Sequence, residues 1–182
     1  NTDAEGTDTT ALTSFDSDGF SLVSDGQVNG SGTTYASWNW KANGGTTSSN
    51  TDGSITSTVQ ANTTAGFSIV TWTGTGSNAT VGHGLGKALN MIIIKNRDRA
   101  ETWRVGTTAR GFTKQLLLDE SDAESTDSLV WQDTAPTSSV FSIGTRNAVN
   151  ASSEDLVAYC FAEIKGYSKF GSYTGNITSG SD

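Results

Sequence analysis

His83 and Cys160 are the only histidine and the only cysteine in the chain, and they are the side chains best suited to nucleophilic chemistry. Residue types alone leave a Cys–His nucleophile pair open. His83, however, lies in the glycine-rich run Val-Gly-His-Gly-Leu-Gly (81–86), whose spacing matches neither a dinucleotide-binding fingerprint nor a phosphate-binding loop. We interpret this run as a tight turn between strands, in which glycine supplies positive φ and His83 bonds neighbouring backbone. A ligand contact by His83 is the alternative.

Metal binding is the second chemistry to consider. Zinc and iron sites need several histidine or cysteine ligands, which one residue of each type cannot supply. Calcium needs oxygen ligands, and the stretch 16–19 (Asp-Ser-Asp-Gly) begins like a calcium-binding loop but lacks the downstream ligands and the closing glutamate. Aspartate–glycine pairs at 25–26 and 52–53 repeat this pattern and are common in turns. We therefore predict no cofactor, with calcium as the alternative.

Paired carboxylates for glycoside hydrolysis cannot be located in the sequence. The densest acidic run has turn character, and we interpret it as a solvated loop; its members are Asp119, Glu120, Asp122, Glu124 and Asp127. Nothing else in the sequence supports a reaction centre, so we expect the chain not to be an enzyme.

Five tryptophans are the remaining candidates for ligand binding, because aromatic faces can stack on sugar rings. Trp38 and Trp40 have the same parity in a predicted strand and so face one side, where we predict core packing. Trp72, Trp103 and Trp131 are better candidates for exposure. Together with the single histidine they form the predicted set of ligand or interface contacts.

The sequence predicts that the elements that would position these residues are all β-strands. The chain has 182 residues, of which 34% are hydrophobic, and it is rich in glycine, which predicts a thin core with many turns. Short apolar runs rich in β-branched and aromatic residues indicate a strand wherever turn residues bound them. Such runs lie at 67–73, 91–95, 102–106, 116–118, 128–131, 140–143 and 156–162. The fold class predicted from them is all-β, an antiparallel β-sandwich of the jelly-roll (concanavalin-A-like) or immunoglobulin-like kind.

An internal repeat divides the chain. Residues 19–40 and 140–161 share a pattern of Phe-Ser-aliphatic, then Val-Asn-small-Ser, then an apolar-aromatic strand, at a constant offset of 121 residues. The match places Cys160 opposite Asn39, which argues against a nucleophile at that position. The predicted organisation is a tandem repeat cut out of phase. Its segments are the end of a first repeat (1–42), a Gly/Ser/Thr/Asn-rich linker or loop (43–65), a complete repeat (66–163) and the start of a following repeat or tail (164–182).

The net charge of the chain indicates which classes of binding partner to expect. The net charge is −8 and the isoelectric point about 4.5, so the surface repels phosphate backbones and nucleic-acid binding is not expected. No run of eighteen apolar residues occurs, so no membrane span is expected.

Several of these segments resemble uncharacterised repeat domains of marine bacteriophage proteins. The resemblance covers about residues 1 to 176. It is clearest in the run 81–86 followed by Met-Ile-Ile-Ile-Lys (91–95), and in the stretches 134–142, 158–163 and 166–175. Leu89 stands where that family often has proline, which costs the turn some rigidity. Such domains are often found beside lectin-like or SPRY-like sandwich domains, and their proteins are usually taken to be tail fibres or other virion components.

The resemblance implies a virion structural protein, placed in a tail fibre, an appendage or a surface decoration of the extracellular particle. It implies assembly as a homo-oligomer, contact with other virion proteins and contact with the host surface, possible host glycans included. A carbohydrate-binding adhesin module is the alternative from a different class. A fibre-borne polysaccharide-degrading enzyme is the third hypothesis, and it requires a pair of carboxylates in a cleft.

Overall fold

The computed structural model describes residues 2–176, which fall into two compact units. The smaller unit is Glu5–Trp40, and the larger begins at Lys41 and also takes in the first residues of the chain. The strands in chain order are β1 (Leu12–Phe15), β2 (Phe20–Leu22), β3 (Ser48–Asn50), β4 (Ser57–Asn62), β5 (Phe67–Thr73), β6 (Ala79–Gly82), β7 (Met91–Asn96), β8 (Arg104–Thr107), β9 (Lys114–Leu117), β10 (Ser125–Thr126), β11 (Val140–Ile143) and β12 (Asp155–Phe161). Three single-turn helices lie between them: α1 (Gly26–Asn29), α2 (Ser128–Trp131) and α3 (Asn147–Asn150).

An eight-stranded sheet forms the body of the larger unit. Its strand order is β10-β9-β8-β7-β12-β5-β4-β3, and each pair in it is antiparallel. The predicted all-β antiparallel class is therefore confirmed. β12 lies at the centre, where it pairs with β5 from Asp155↔Thr73 to Phe161↔Phe67 and with β7 along its other edge.

The sheet buries one face, because the side chains along its central strands point alternately toward the core and away from it. On β5 and β12 the core-facing side chains are Val70 and Trp72, Leu156, Ala158 and Cys160, all at 4% exposure or less. The two-stranded sheet of β6 and β11 covers this face together with α2 and α3. The arrangement is sandwich-like, but its second layer consists of two strands and short helical turns.

Two segments differ from the sequence-based expectation. The predicted linker 43–65 is wrong, because β3 and β4 lie inside it and extend the main sheet beside β5. The predicted strand 128–131 is also wrong, because Asp127 accepts a hydrogen bond from the backbone N of Leu129 (3.0 Å) and starts the helical turn α2.

The smaller unit consists of a β1–β2 hairpin followed by α1. The Asp16 carboxylate bridges the base of the hairpin turn, because it accepts hydrogen bonds from Ser14 Oγ (3.0 Å) and Ser21 Oγ (2.8 Å). The acidic stretch 16–19 is thus the turn of this hairpin. The strand predicted for residues 35–40 does not form, and that segment is irregular and exposed.

Between residues 2 and 176, none of the helices has the length and apolar character needed to cross a membrane.

Candidate functional site

Two of the predicted contact tryptophans belong to the core, so their prediction as exposed candidates is wrong. Trp72 is 4% exposed and packs edge-on against Phe141 with ring centroids 5.7 Å apart. Trp131 is fully buried and packs edge-on against Phe112, also at 5.7 Å. Both indoles belong to the cluster of buried side chains between the main sheet and the layer that covers it.

Trp103 is half-buried and stays a candidate contact. Its ring stacks on that of Tyr159 at 6.4 Å with an interplanar angle of 18°. Tyr159 points to the opposite face of the sheet from the core-facing Ala158 and Cys160. Trp103 therefore lies on the outer face of the main sheet, away from the other three predicted contacts.

His83 is buried at the end of β6 and holds the turn that the sequence predicted. Its Nδ1 accepts a hydrogen bond from the backbone N of Leu85 (3.3 Å), so the proton sits on Nε2, which faces the carbonyl O of Thr137 (3.3 Å). Gly84 has a φ of 71°, as the predicted tight turn requires. Burial lowers the pKa of His83 and favours this neutral form. With no exposed surface, the imidazole cannot contact a ligand, and that alternative is wrong.

Cys160 is a buried core thiol, as expected from its apolar run. It has no exposed surface and faces Ser68 on β5 and Ile92 on β7 across the sheet. Burial strongly raises the pKa of the thiol, so the nucleophilic thiolate is not accessible at neutral pH.

The acidic run 119–127 is less solvated than predicted. Glu124 pairs with Arg110, Asp127 pairs with Arg146, and Asp119 accepts a hydrogen bond from the backbone N of Trp103 (3.0 Å). The solvated-loop interpretation is therefore wrong for these three carboxylates. In the part of the chain that the structure describes, no group of three or more histidine, cysteine, aspartate or glutamate residues could hold a metal ion.

Two surface depressions could receive a small ligand. The first, of about 190 Å³, is lined mainly by four threonines of β4, β5 and the residue before β4, together with Arg97 and Asp155. The second, of about 430 Å³, is lined by residues 41–44 and 61–64. The first contains one carboxylate and the second none, so neither offers the carboxylate pair that glycoside hydrolysis needs.

A buried polar cluster at the end of β7 was missed by sequence reasoning. Nζ of Lys95 donates to the carbonyl oxygens of Thr2, Asn96 and Arg99 at 2.7–3.2 Å. The Asn96 side chain donates to the carboxylate of Glu154 (2.7 Å), which also pairs with Arg99. The signal in the sequence is a Lys-Asn pair that ends an apolar run. Every Nζ proton has an acceptor within the fold, so this lysine is a structural group.

The repeat predicted from sequence is visible in local hydrogen bonding. We call residues 8–40 the first motif and residues 127–161 the second motif. In both, the helix-ending asparagine donates through Nδ2 to a carbonyl six residues earlier: Asn29 to Val23 (2.6 Å) and Asn150 to Gly144 (3.0 Å). The carboxylate of the first aspartate in each motif also accepts a hydrogen bond from the backbone N two residues later. The distance is 2.7 Å for Asp8 and 3.0 Å for Asp127.

Three backbone hydrogen bonds within the first motif have counterparts in the second. The pairs Val23 N to Ala11 O, Asp25 N to Thr10 O and Asn29 N to Asp25 O in the first motif measure 3.1, 3.1 and 2.8 Å. Their counterparts in the second motif are Gly144 N to Val130 O, Arg146 N to Leu129 O and Asn150 N to Arg146 O, at 2.9, 3.1 and 2.9 Å. The sequence match therefore reflects one local structure present twice.

Corresponding side chains of the two motifs differ in how far they are buried. Phe141 of the second motif is 1% exposed, whereas its counterpart Phe20 is 36% exposed. Leu156 is fully buried, and its counterpart Tyr35 is 45% exposed. Trp38 is 76% exposed and Trp40 is 52% exposed, so the predicted core packing of these two residues is wrong. The prediction failed because the strands that flank β12 in the second motif have no equivalents around residues 31–40.

The first motif also differs in charge. Arg146, which pairs with Asp127 in the second motif, is replaced by Asp25, so two carboxylates stand where the second motif has an ion pair. Hydrogen bonds from the side chain and the backbone N of Thr10 hold the pKa of Asp8 below its ordinary value. The exposed first motif is thus an apolar surface with acidic neighbours.

Comparison with known proteins gives one match. A family model described as a domain of unknown function (DUF7483) matches residues 1–181. No curated protein and no solved structure matches the chain.

Proposed function

The chain belongs to this DUF7483 family, and from that starting point we propose that it is a non-enzymatic structural module of a bacteriophage particle that acts by assembly. The observation that carries the proposal is the exposed apolar side of the first motif. Phe20, Tyr35 and Trp40 are exposed, whereas their counterparts in the second motif, Phe141, Leu156 and Phe161, are buried. Exposed apolar surface of this kind marks an interaction site in a stable protein.

The particle location is proposed from the resemblance of the sequence to repeat domains of marine bacteriophage proteins. A scaffold built on an eight-stranded sheet suits a fibre, an appendage or a surface decoration. In this setting the first motif meets neighbouring subunits, and outer loops meet the host surface.

The location is tested on phage particles purified from a lysate that contains the chain. We expect tryptic peptides of the chain to co-purify with infectious particles through a density gradient, and an antiserum against the chain to label the particle surface in electron micrographs. Particles without the peptides and without label, from a lysate that contains the chain, would contradict the proposal. A non-virion protein of the same lysate serves as the control for carry-over.

A carbohydrate-binding adhesin module is the second candidate. The observation that favours it is Trp38, whose indole is 76% exposed and lies two positions from the half-exposed Trp40. An exposed indole face can stack on a sugar ring. This candidate predicts glycan-array binding that Trp38→Ala abolishes and that the neighbouring Ser37→Ala leaves unchanged. An array with no bound glycan removes it.

A further inference from the structure

We infer that β3, an edge strand of the main sheet, pairs antiparallel with β3 of a second copy of this chain, so that two eight-stranded sheets join into one. The inference rests on the proposed assembly function, for which it names a second copy as the partner and this edge as the joint. Strand addition of this kind takes its affinity from backbone hydrogen bonds, and the side chains determine its specificity.

β3 is a formed strand that has a neighbour on one side only. It comprises Ser48–Asn50 and pairs antiparallel with β4, and no strand lies beyond it in the sheet that the structure describes. The end of the strand is held in place by the Asn50 side chain, whose Oδ1 accepts a hydrogen bond from the backbone N of Asp52 (3.0 Å). The same oxygen lies against Gly82 of β6, where an added Cβ would come within 1.7 Å of it. The edge is therefore ordered before a partner arrives.

The hydrogen bonds of the inner strands show which backbone groups of β3 point outward. At the two ends of β5, the carbonyl O of Gly66 accepts from the backbone N of Ala162 (2.8 Å), and the backbone N of Gly74 donates to the carbonyl O of Glu154 (2.8 Å). In an antiparallel ladder, successive residues direct their N–H and C=O groups to opposite edges of the strand. The even-numbered residues of β5 therefore bond to β12, and the odd-numbered residues bond to β4.

The same alternation continues across β4 to β3. The odd-numbered residues of β5 lie opposite even-numbered residues of β4, so the odd-numbered residues of β4 bond to β3. In the register of β3 these residues are the partners of Ser48 and Asn50. The N–H and C=O groups of Ser49 therefore point away from the sheet. Ser49 is exposed, and among the described residues its backbone has no hydrogen-bond partner.

The open edge is uncharged, unlike the opposite edge of the sheet. Residues 42–51 contain no charged side chain and no proline, and so lack two of the features that usually protect an edge strand from pairing. At the other end of the sheet, β10 lies between Glu124 and Asp127, and both carboxylates form ion pairs with arginines. Because each copy has a net charge of −8, two copies repel each other least where they meet through an uncharged edge.

The sequence of β3 is also complementary to itself in the antiparallel direction. A two-fold axis through Ser49 places this residue opposite Ser49 of the second copy, and Ser48 opposite Asn50. The two Ser49 residues then exchange both backbone hydrogen bonds, as a hydrogen-bonded antiparallel pair does. All the side chains at the joint are polar and uncharged, so no like charges stand opposite each other. The contact is isologous and closes at two copies.

A cysteine on the two-fold axis tests the joint in the full chain. Opposite residues of a hydrogen-bonded antiparallel pair lie about 5.5 Å apart at Cα, within the range of a disulfide. Ser49→Cys is oxidised in dilute solution, with the buried Cys160 left in place. The matched control is Thr58→Cys, because Thr58 is also exposed and lies opposite Ser49 on β4. In the joined sheet the two copies of residue 58 are three strand spacings apart, about 14 Å, which no disulfide can span.

We expect Ser49→Cys to form a disulfide-linked dimer at least about tenfold faster than the control, because only its thiols meet. Mass spectrometry should place the linkage between residue 49 of one copy and residue 49 of the other. Ser48→Cys tests the register: its two copies are offset along the strands by two residues, about 8 Å apart, so its dimer should form more slowly than that of Ser49→Cys. Equal rates for Ser49→Cys and Thr58→Cys would overturn the inference, and so would a faster rate for Ser48→Cys.

Self-association of the unmodified chain gives a second readout. We expect sedimentation to show a concentration-dependent dimer that Ser49→Lys weakens, because this substitution sets two ammonium groups opposite each other on the axis. Thr58→Lys adds the same charge one strand away and should not weaken the dimer. A chain that stays monomeric at its highest soluble concentration would overturn the inference, and so would a dimer that Ser49→Lys leaves unchanged.

The joint and the particle location can fail separately. Dimerisation is measured on the purified chain, whereas the location is measured on phage particles. A chain that is found on particles but does not pair through residue 49 contradicts only the joint. A chain that pairs through residue 49 but is absent from particles contradicts only the location.

Discussion

Gly106 and Trp131 are in direct contact: a Cβ added to Gly106 would lie 2.9 Å from Cε2 of the Trp131 indole and 2.7 Å from Cε1 of Phe112. The glycine lies on β8 of the main sheet, and the indole belongs to α2 in the covering layer. The close approach of these two layers therefore depends on the missing side chain.

Gly106→Ala is expected to destabilise the larger unit by about 1–3 kcal/mol, the usual effect of overpacking a well-packed core. Neither ring can move freely, because both are buried and pack edge-on against each other. The measurement is the free energy of unfolding in urea. Gly171→Ala is the control, because a Cβ there meets open space. Equal stability of the two variants would show that the layers are further apart than described.

Asn150→Ala is expected to cost at least about 2 kcal/mol of unfolding free energy, because several buried polar groups lose partners. The Asn150 amide donates to the carbonyls of Ser77 (2.6 Å) and Gly144 (3.0 Å) and accepts from the backbone N of Thr75 (2.8 Å). The matched control is Asn29→Ala in the first motif. Asn29 is exposed, so its loss should cost less than about 1 kcal/mol. A reversed order would contradict the difference in burial between the motifs.

The single histidine makes the stability of the larger unit depend on pH. Because burial lowers the pKa of His83 below its ordinary 6.5, the folded state binds the proton less readily than the unfolded state. The free energy of unfolding should therefore fall as the pH drops below about 6.5 and stop falling below the folded-state pKa. Urea unfolding between about pH 5 and pH 7 measures the effect. His83→Gln should remove this pH dependence, and an unchanged profile would assign it to other groups.

The Cys160 thiol is expected to resist alkylation in the folded protein. It has no exposed surface, and burial raises its pKa, so both access and the thiolate are missing. Incubation with iodoacetamide at neutral pH should leave the native chain unmodified, while the same chain in guanidinium should gain one label per molecule. Labelling of the native chain at the unfolded rate would contradict the buried position. Asn39→Cys, on the exposed segment of the first motif, serves as the reactive control.

Periodicity predicted the strands that supply much of the core. Residues 67–73 and 140–143 were predicted with the observed bounds, because their β-branched and aromatic side chains alternate between a buried and a less buried face. β4 was missed because Val59 is its only large side chain in the core, and its other residues are small or polar. A strand near the edge of a sheet needs little apolar surface, so composition alone resembled a linker.

The positions of the tryptophans could not be derived from one strand at a time. Trp72 is buried and Trp38 is exposed although both lie in aromatic-rich segments, because burial depends on which other segments lie against them. The error at residues 128–131 has a local cause: Asp127 caps the turn, and Gln132 then adopts a left-handed φ of 53° that ends it. An aspartate before Ser-Leu-Val was a capping signal in the sequence, and it outweighed the strand propensity of the apolar residues.

The short reach of the hydrogen bonds within each motif has a consequence for how the protein folds. Asn150 closes a ring with Gly144 only six positions away, whereas Thr73 and Asp155 at the end of the β5–β12 pair are 82 positions apart. Loop closure costs less entropy for the short separation, so each motif gains its local order early and independently. We expect the pairing of β12 with β5 and β7 to limit the folding rate, because these contacts are far apart in the sequence.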